Sequence, residues 1–257
     1  MAKYYRITSD KNELCAIAAD YWMECYRSTL DTAPLFHVAL SGGSTPKSLY
    51  QLLATDKYSD QIDWQKVHLY FGDERCVPLD HPDSNFLMAK TALIDHVDIP
   101  PQNVHPVKIV ENDPARCAAE YQRQLADVMV CESNAIPRFD LVLLGMGEDG
   151  HTASLFPGTP ILQQRERWVS EVYVSHLDSW RVSLTYPIIN NAHKILVLVS
   201  GANKADKISE ILTAPVTEPK YPIQGIVPKG DILWLVDKAA AAALNNENVS
   251  VDMTKVA

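Results

Sequence analysis

Three short stretches of this sequence concentrate residue types that could do chemistry. In Gly145-Met146-Gly147-Glu148-Asp149-Gly150-His151-Thr152 an imidazole follows a carboxylate by two positions inside a glycine-rich turn. An imidazole with an ordinary pKa near 6.5 takes up and returns a proton at neutral pH, which is the work of a general base. Asp149 could orient that ring or simply cap the turn, and spacing alone leaves both open. In Ser41-Gly42-Gly43-Ser44-Thr45-Pro46, small residues and hydroxyls precede a helix. Exposed N–H groups and the positive end of the helix dipole favour an anion there, and the glycines let the backbone approach it. Pro46 suits the first helical turn, with Ser44 or Thr45 expected as its cap. Asp73-Glu74-Arg75 reads as a salt-bridged surface turn or, functionally, as a site where Arg75 presents a planar fork to phosphate or carboxylate. Arg181 and Lys204 are further cations of that kind, the latter following Gly201-Ala202-Asn203.

Several other chemistries do not fit. The G-x-G-x-x-G of Gly145, Gly147 and Gly150 would need a helix running on from the third glycine to bind a dinucleotide. Here Pro157-Gly158 follows too soon, leaving room for one turn at most. The Ser41 stretch lacks the Gly-Lys-Ser/Thr ending of a Walker loop, and no G-x-S-x-G nucleophile elbow is present. Cys76 has no evident base near it in sequence. Seven other histidines (His37, His68, His81, His96, His105, His176, His193) show no ligand spacing. No metal or other cofactor is expected.

The elements that must hold these residues alternate. Leu14, Ala18, Tyr21 and Cys25 recur at helical spacing and predict a helix over 10–30. Apolar runs predict buried strands at 36–40, 67–71, 139–144, 168–174, 181–185, 194–200 and 232–236. Further helices are expected after Ser44, over 84–96 and 114–130, and over 204–212 and 238–244. Strands alternating with helices imply an α/β domain, an open and mostly parallel sheet with helices on both faces. In such sheets ligands bind outside the carboxyl ends of the strands. Gly42-Gly43, Asp73–Arg75, Gly145–His151 and Gly201–Lys204 all follow strands, so they should converge on one edge.

Composition agrees and narrows the partners. The chain has 257 residues, 47% hydrophobic and 21% charged, and is read as one domain over 1–257. Lys plus Arg total 23 against 32 Asp plus Glu, a net charge of −9 that argues against a nucleic-acid partner. A small anion held by a few placed cations fits better. Five cysteines (Cys15, Cys25, Cys76, Cys117, Cys131) form no C-x-x-C, and the start shows no signal-peptide core. No run is long enough to span a membrane. A cytoplasmic monomer or small homo-oligomer is expected.

At these residues the chain resembles the 6-phosphogluconolactonase family. The matching segments are Leu40–Pro46, Gly72-Asp73-Glu74-Arg75-Cys76-Val77-Pro78 with Asp83-Ser84-Asn85, and Gly145–Pro157. Arg181–Thr185, Gly201–Lys204 and Leu233–Asp237 continue the match in order. The resemblance implies a Rossmann-like fold shared with glucosamine-6-phosphate deaminase and ribose-5-phosphate isomerase. It also implies hydrolysis of a phosphorylated sugar lactone in the oxidative pentose phosphate pathway, without cofactor. His151 would act as general base and acid with Asp149. Gly42, Gly43, Ser44, Thr45, Asp73, Arg75, Arg181 and Lys204 would bind substrate. The deaminase is the rival, sharing the Gly-Gly-Ser-Thr-Pro loop and an Asp-Gly-His. Its pattern has tyrosine where this chain has Arg75 and glutamate where this chain has Phe156. Related folds also serve as sugar-phosphate sensors in transcription regulators, but those carry an added DNA-binding segment.

Overall fold

Near-continuous runs of Leu, Val and Ile build the centre of the molecule, because strands buried on both faces tolerate no alternation with polar residues. A computed structural model of the chain describes residues 3–110, 113–129, 135–213 and 220–244. Its strands are β1 (Lys3–Thr8), β2 (Phe36–Leu40), β3 (Val67–Phe71), β4 (Asp73–Arg75), β5 (Val104–His105), β6 (Leu141–Gly145), β7 (Val169–Val174), β8 (Ser179–Leu184), β9 (Lys194–Val199) and β10 (Asp231–Asp237). The helices are α1 (Lys11–Leu30), α2 (Ser44–Leu53), α3 (Asp56–Ser59), α4 (Asn85–Ala92), α5 (Pro114–Val128), α6 (Tyr186–Ile189) and α7 (Ala205–Thr213).

Seven strands form one parallel sheet in the order β1-β10-β9-β6-β2-β3-β5, the α/β architecture expected from the alternation. After the edge strand β1 the chain crosses to the middle, then runs outward in both directions, through β2, β3 and β5 on one side and β6, β9 and β10 on the other. The order therefore reverses between β2 and β6, where Val38 faces Leu141 in the register. Loops leaving the carboxyl ends of two strands that diverge this way leave a crevice between them. The chain after β2 is Ser41-Gly42-Gly43, and the chain after β6 is the turn carrying His151.

Two expectations need correction, and one strand went without an expectation. Asp73–Arg75 is no surface turn but a strand of a second, antiparallel sheet ordered β4-β8-β7, against which α5 packs. Residues 238–243 form turns rather than a helix despite their alanines. The Asp237 carboxylate accepts from Ala240 N–H at 2.8 Å and from Gly201 N–H at 3.1 Å, which ties the chain down locally. The strand β1 had no apolar run to announce it. As an edge strand it has a neighbour on one side only, and Lys3 lies over the Tyr5 and Trp234 rings. Among the described residues no helix is long and apolar enough to cross a membrane. The expected helix end at residue 130 and Cys131 lie outside the described residues.

One cluster in the sheet predicts how stability follows pH. His37, His68 and His105 sit side by side on β2, β3 and β5, with His68 Nδ1 3.0 Å from His105 Nε2 and His37 Nδ1 3.0 Å from the Tyr70 hydroxyl. Burial, and then His68, pushes His37 down to about 4; burial, then His68 and His37, does the same to His105. The unfolded chain thus binds more protons than the folded one below about pH 6.5, so stability falls with acidification from there toward pH 4. Asp140, raised to about 6 by burial, works in the opposite direction and offsets part of the loss. With solvent screening discounted, the melting temperature should drop by about 3–6 °C between pH 7 and pH 5. The double variant His37→Phe/His105→Phe should flatten that slope; an unchanged slope would contradict this account.

Candidate active site

Gly43 ends the chain after β2 at φ +100°, a conformation that disfavours side chains, and starts α2 with no side-chain cap. Neither Ser44 nor Thr45 caps the helix as the sequence suggested; both are inside it, with Pro46 in the same first turn. The first-turn N–H groups of α2 are therefore left for a ligand. Beside them Gly42 packs against Asn85, where a Cβ would lie 2.1 Å from the amide oxygen. These residues form one wall of a cleft of about 380 Å³. Asp73, Arg75, Asn85, Gly147, His151, Arg181, Asn203 and Lys204 line the rest. The four post-strand loops thus meet at one edge of the sheet, at the switch point between β2 and β6.

His151 Nδ1 lies 2.6 Å from Asp149 Oδ1, which also accepts from the His151 backbone N–H at 3.1 Å. Asp149 therefore does both things its spacing allowed, orienting the ring and capping the turn. Burial works to raise the Asp149 carboxyl, but the His151 N–H and imidazole outweigh it and hold the group below its usual range. An ionised carboxylate only accepts hydrogen bonds, so Nδ1 must carry the proton and Nε2 keeps the free lone pair. Phe156 is stacked on the imidazole at 4.0 Å and 27°. The ring is thereby fixed by a hydrogen bond at its edge and a flat apolar contact on its face.

Gly147 leaves the space that the ring fills: a Cβ there would lie 2.1 Å from His151 Nδ1 and 2.8 Å from Asp149 Oδ1. With His151 as the base its sequence setting suggests, Gly147→Ala should lower turnover by about 100-fold, since a displacement of about 1 Å at such a group costs that much. Circular dichroism should show the fold retained. Wild-type turnover in this variant would mean that the ring need not sit where it does.

The cations converge from the second sheet and from the loop after β9. Arg75 and Arg181 face each other directly across the β4–β8 pair. Like charges opposed across strands repel, an arrangement suited to a shared anion. Burial, and then the Arg75 guanidinium, pushes Arg181 below its usual range. Arg75 donates to the Asp83 carbonyl at 2.5 Å, while its buried Nε has no partner among the described residues. Lys204 lies 3.9 Å from Glu148; burial lowers its pKa more than that carboxylate raises it.

Asp73 lines the cleft, yet its carboxylate is occupied. It accepts from the Ser154 hydroxyl at 2.6 Å and from the Asn85 amide at 3.2 Å. Since Ser154 belongs to the His151 segment and Asn85 backs Gly42, one carboxylate keys three loops together. Sequence reasoning gave no role to three residues that the structure shows positioning the site. Asn85 is one. Glu74 is another: it is wholly buried and accepts from the N–H groups of Arg75, Asn85 and Phe86, each at 2.8 Å, holding the start of α4. Burial pushes its carboxyl up against the pull of those bonds. Asp237, anchoring Gly201 beside Lys204, is the third. The sequence signal for each was its place in a segment that carries the family resemblance, Gly72–Pro78, Asp83–Asn85 or Leu233–Asp237.

The family model for glucosamine-6-phosphate isomerases/6-phosphogluconolactonase matches residues 9–234. A 6-phosphogluconolactonase from Nostoc sp. is 42% identical over 246 residues, covering 95% of this chain and 100% of that protein. The structure of 6-phosphogluconolactonase from Trypanosoma cruzi superposes with a TM-score of 0.80 at 33% identity, covering 95% of this chain and 98% of that one. A monomeric glucosamine-6-phosphate deaminase superposes with a TM-score of 0.77, covering 95% of this chain and 100% of that one. Its 20% identity is a likeness of fold alone.

Proposed function

This chain belongs to the glucosamine-6-phosphate isomerase/6-phosphogluconolactonase family and is a lactone hydrolase, and from that premise we propose how its cleft works and on what. The substrate is 6-phosphoglucono-1,5-lactone, an intermediate of the oxidative pentose phosphate pathway. His151 Nε2 takes a proton from water, whose oxygen attacks the ester carbonyl. The tetrahedral intermediate collapses, the bond to the ring oxygen breaks, and the imidazolium returns its proton to that oxygen. The product is 6-phosphogluconate. Asp149 holds the tautomer that makes this possible and stabilises the imidazolium. The Gly147 N–H is spent on the His151 carbonyl at 2.9 Å, so oxyanion stabilisation falls to the open N–H groups at Gly42–Thr45. Arg75 and Arg181 take the phosphate, and Lys204 closes the opposite side. Asp73 holds the loops around the substrate.

The observation that carries this reading is an oriented imidazole, free at Nε2, in the same small cleft as two opposed guanidiniums. Deamination would need a carboxylate where Phe156 instead covers the imidazole. The thiols of Cys15, Cys25, Cys76 and Cys117 are free, which supports a reducing, cytoplasmic setting. Acid release from freshly prepared 6-phosphogluconolactone should exceed the spontaneous rate, while glucosamine 6-phosphate should yield no ammonia. Ammonia without lactone opening would reverse the assignment.

A further inference from the structure

A second cavity, of about 690 Å³, flanks the catalytic turn. Pro157 and Gly158, which end the His151 segment, form one side of it, and Tyr221 and Pro222 form another. Three cations, Arg165, Lys220 and Lys229, line it, and among the described residues no Asp or Glu does. Such a wall is unusual in a chain of net charge −9. Arg165 donates to the carbonyls of Leu162 and Gln164, and Lys229 to the Asn191 amide oxygen at 3.0 Å. Of the three, only Lys220 is ion-paired among the described residues, to Glu210 at 2.8 Å. The remaining surface is mainly apolar, with Leu162, Pro187 and the half-exposed Val227 contributing.

The cavity also touches the catalytic turn. Gly150, between Asp149 and His151, has φ +80°, and a Cβ on it would lie 2.8 Å from Tyr221 Cβ. The Gly150 carbonyl accepts from the Ile223 N–H at 3.0 Å. Movement of the Tyr221 segment must therefore reach Gly150 and the histidine after it.

We propose that this cavity is a second ligand site, for an anion of the nucleotide class, and that its occupation is felt at His151 through Tyr221 and Gly150. Arg165 and Lys229, which have no carboxylate partner among the described residues, call for phosphate, and apolar walls call for a flat, poorly hydrated body. A sugar phosphate would supply the first and not the second, since its hydroxyls would lose their hydrogen bonds to water here. The volume lies within the range of small-molecule sites.

The test titrates ADP into protein labelled with ¹⁵N-histidine, with His151 resonances assigned by comparison with His151→Ala. Saturable binding with a shift of the His151 ring signals is expected, and adenosine or inorganic phosphate alone should bind more weakly. Arg165→Ala/Lys229→Ala should weaken ADP binding about tenfold or more. Val227→Glu, a change at a half-exposed side chain that folding should tolerate, should weaken it too, by placing a carboxylate in the wall. Arg181→Ala should leave ADP affinity unchanged. The proposal is overturned by absence of saturable binding at millimolar ADP, by equal binding in the two cavity variants, by loss of binding in Arg181→Ala, which would put ADP in the catalytic cleft, or by binding that leaves His151 unmoved.

Discussion

Replacing His151 by alanine should slow lactone opening by about 10²–10⁴-fold, toward the spontaneous rate, with the melting temperature little changed. The expectation follows from the tautomer. Asp149, ionised and 2.6 Å from Nδ1, fixes the proton there and leaves the Nε2 lone pair for the role of base proposed above. Asp149→Asn makes the same point more sharply than Asp149→Ala. An asparagine side chain can donate to Nδ1, which would drive the proton onto Nε2 and disable the base while keeping the ring in place. Alanine would leave both tautomers accessible, with Phe156 still stacked on the ring. Asp149→Asn should therefore be the slower of the two. Measurement requires fresh lactone and subtraction of its own hydrolysis; His151→Ala protein with wild-type turnover would remove the imidazole from the mechanism.

The histidine was legible in the sequence because glycines, a carboxylate and the end of an apolar strand stand within a few residues of it. The parallel sheet was legible for the same local reason: 195–199 and 232–236 are too uniformly apolar to lie anywhere but between neighbours. The antiparallel pairing of β4 with β8 was not. It joins residues about a hundred positions apart, and the three-residue β4 carries a buried Glu74 that looks like a surface group until its four partners are known. Asp73 lies where the sequence put it, at the cleft, with partners the sequence did not announce. Those partners, Ser154 and Asn85, come from segments that only the folded chain brings together. The alanine-rich stretch after β10 shows the limit of propensity, because one buried carboxylate, Asp237, redirects the backbone there.

Arg181→Ala should reduce kcat/KM for the phosphorylated lactone by about 100-fold or more, through loss of a charge-assisted contact to phosphate, and should leave the folded state as stable or slightly more so. The two effects have one origin. Arg75 and Arg181 occupy directly opposed positions on β4 and β8, and burial adds to the cost of the Arg181 charge. In the free protein that proximity is unfavourable; with a dianionic phosphate between the guanidiniums it becomes binding energy. Removing Arg181 relieves the repulsion and takes away half of the proposed receptor. Arg75→Ala is the less clean variant, because Arg75 also holds the Asp83 carbonyl at the approach to α4 and its loss should loosen Asn85 and the wall behind Gly42. The discriminating substrate is glucono-1,5-lactone without phosphate. It gains nothing from the pair, so its slow hydrolysis should be nearly the same in wild type and Arg181→Ala. An equal loss on both lactones would mean that Arg181 serves the ester chemistry rather than the phosphate. A fall in melting temperature of several degrees would mean that the opposed arginines stabilise the fold, contrary to the electrostatics of their placement.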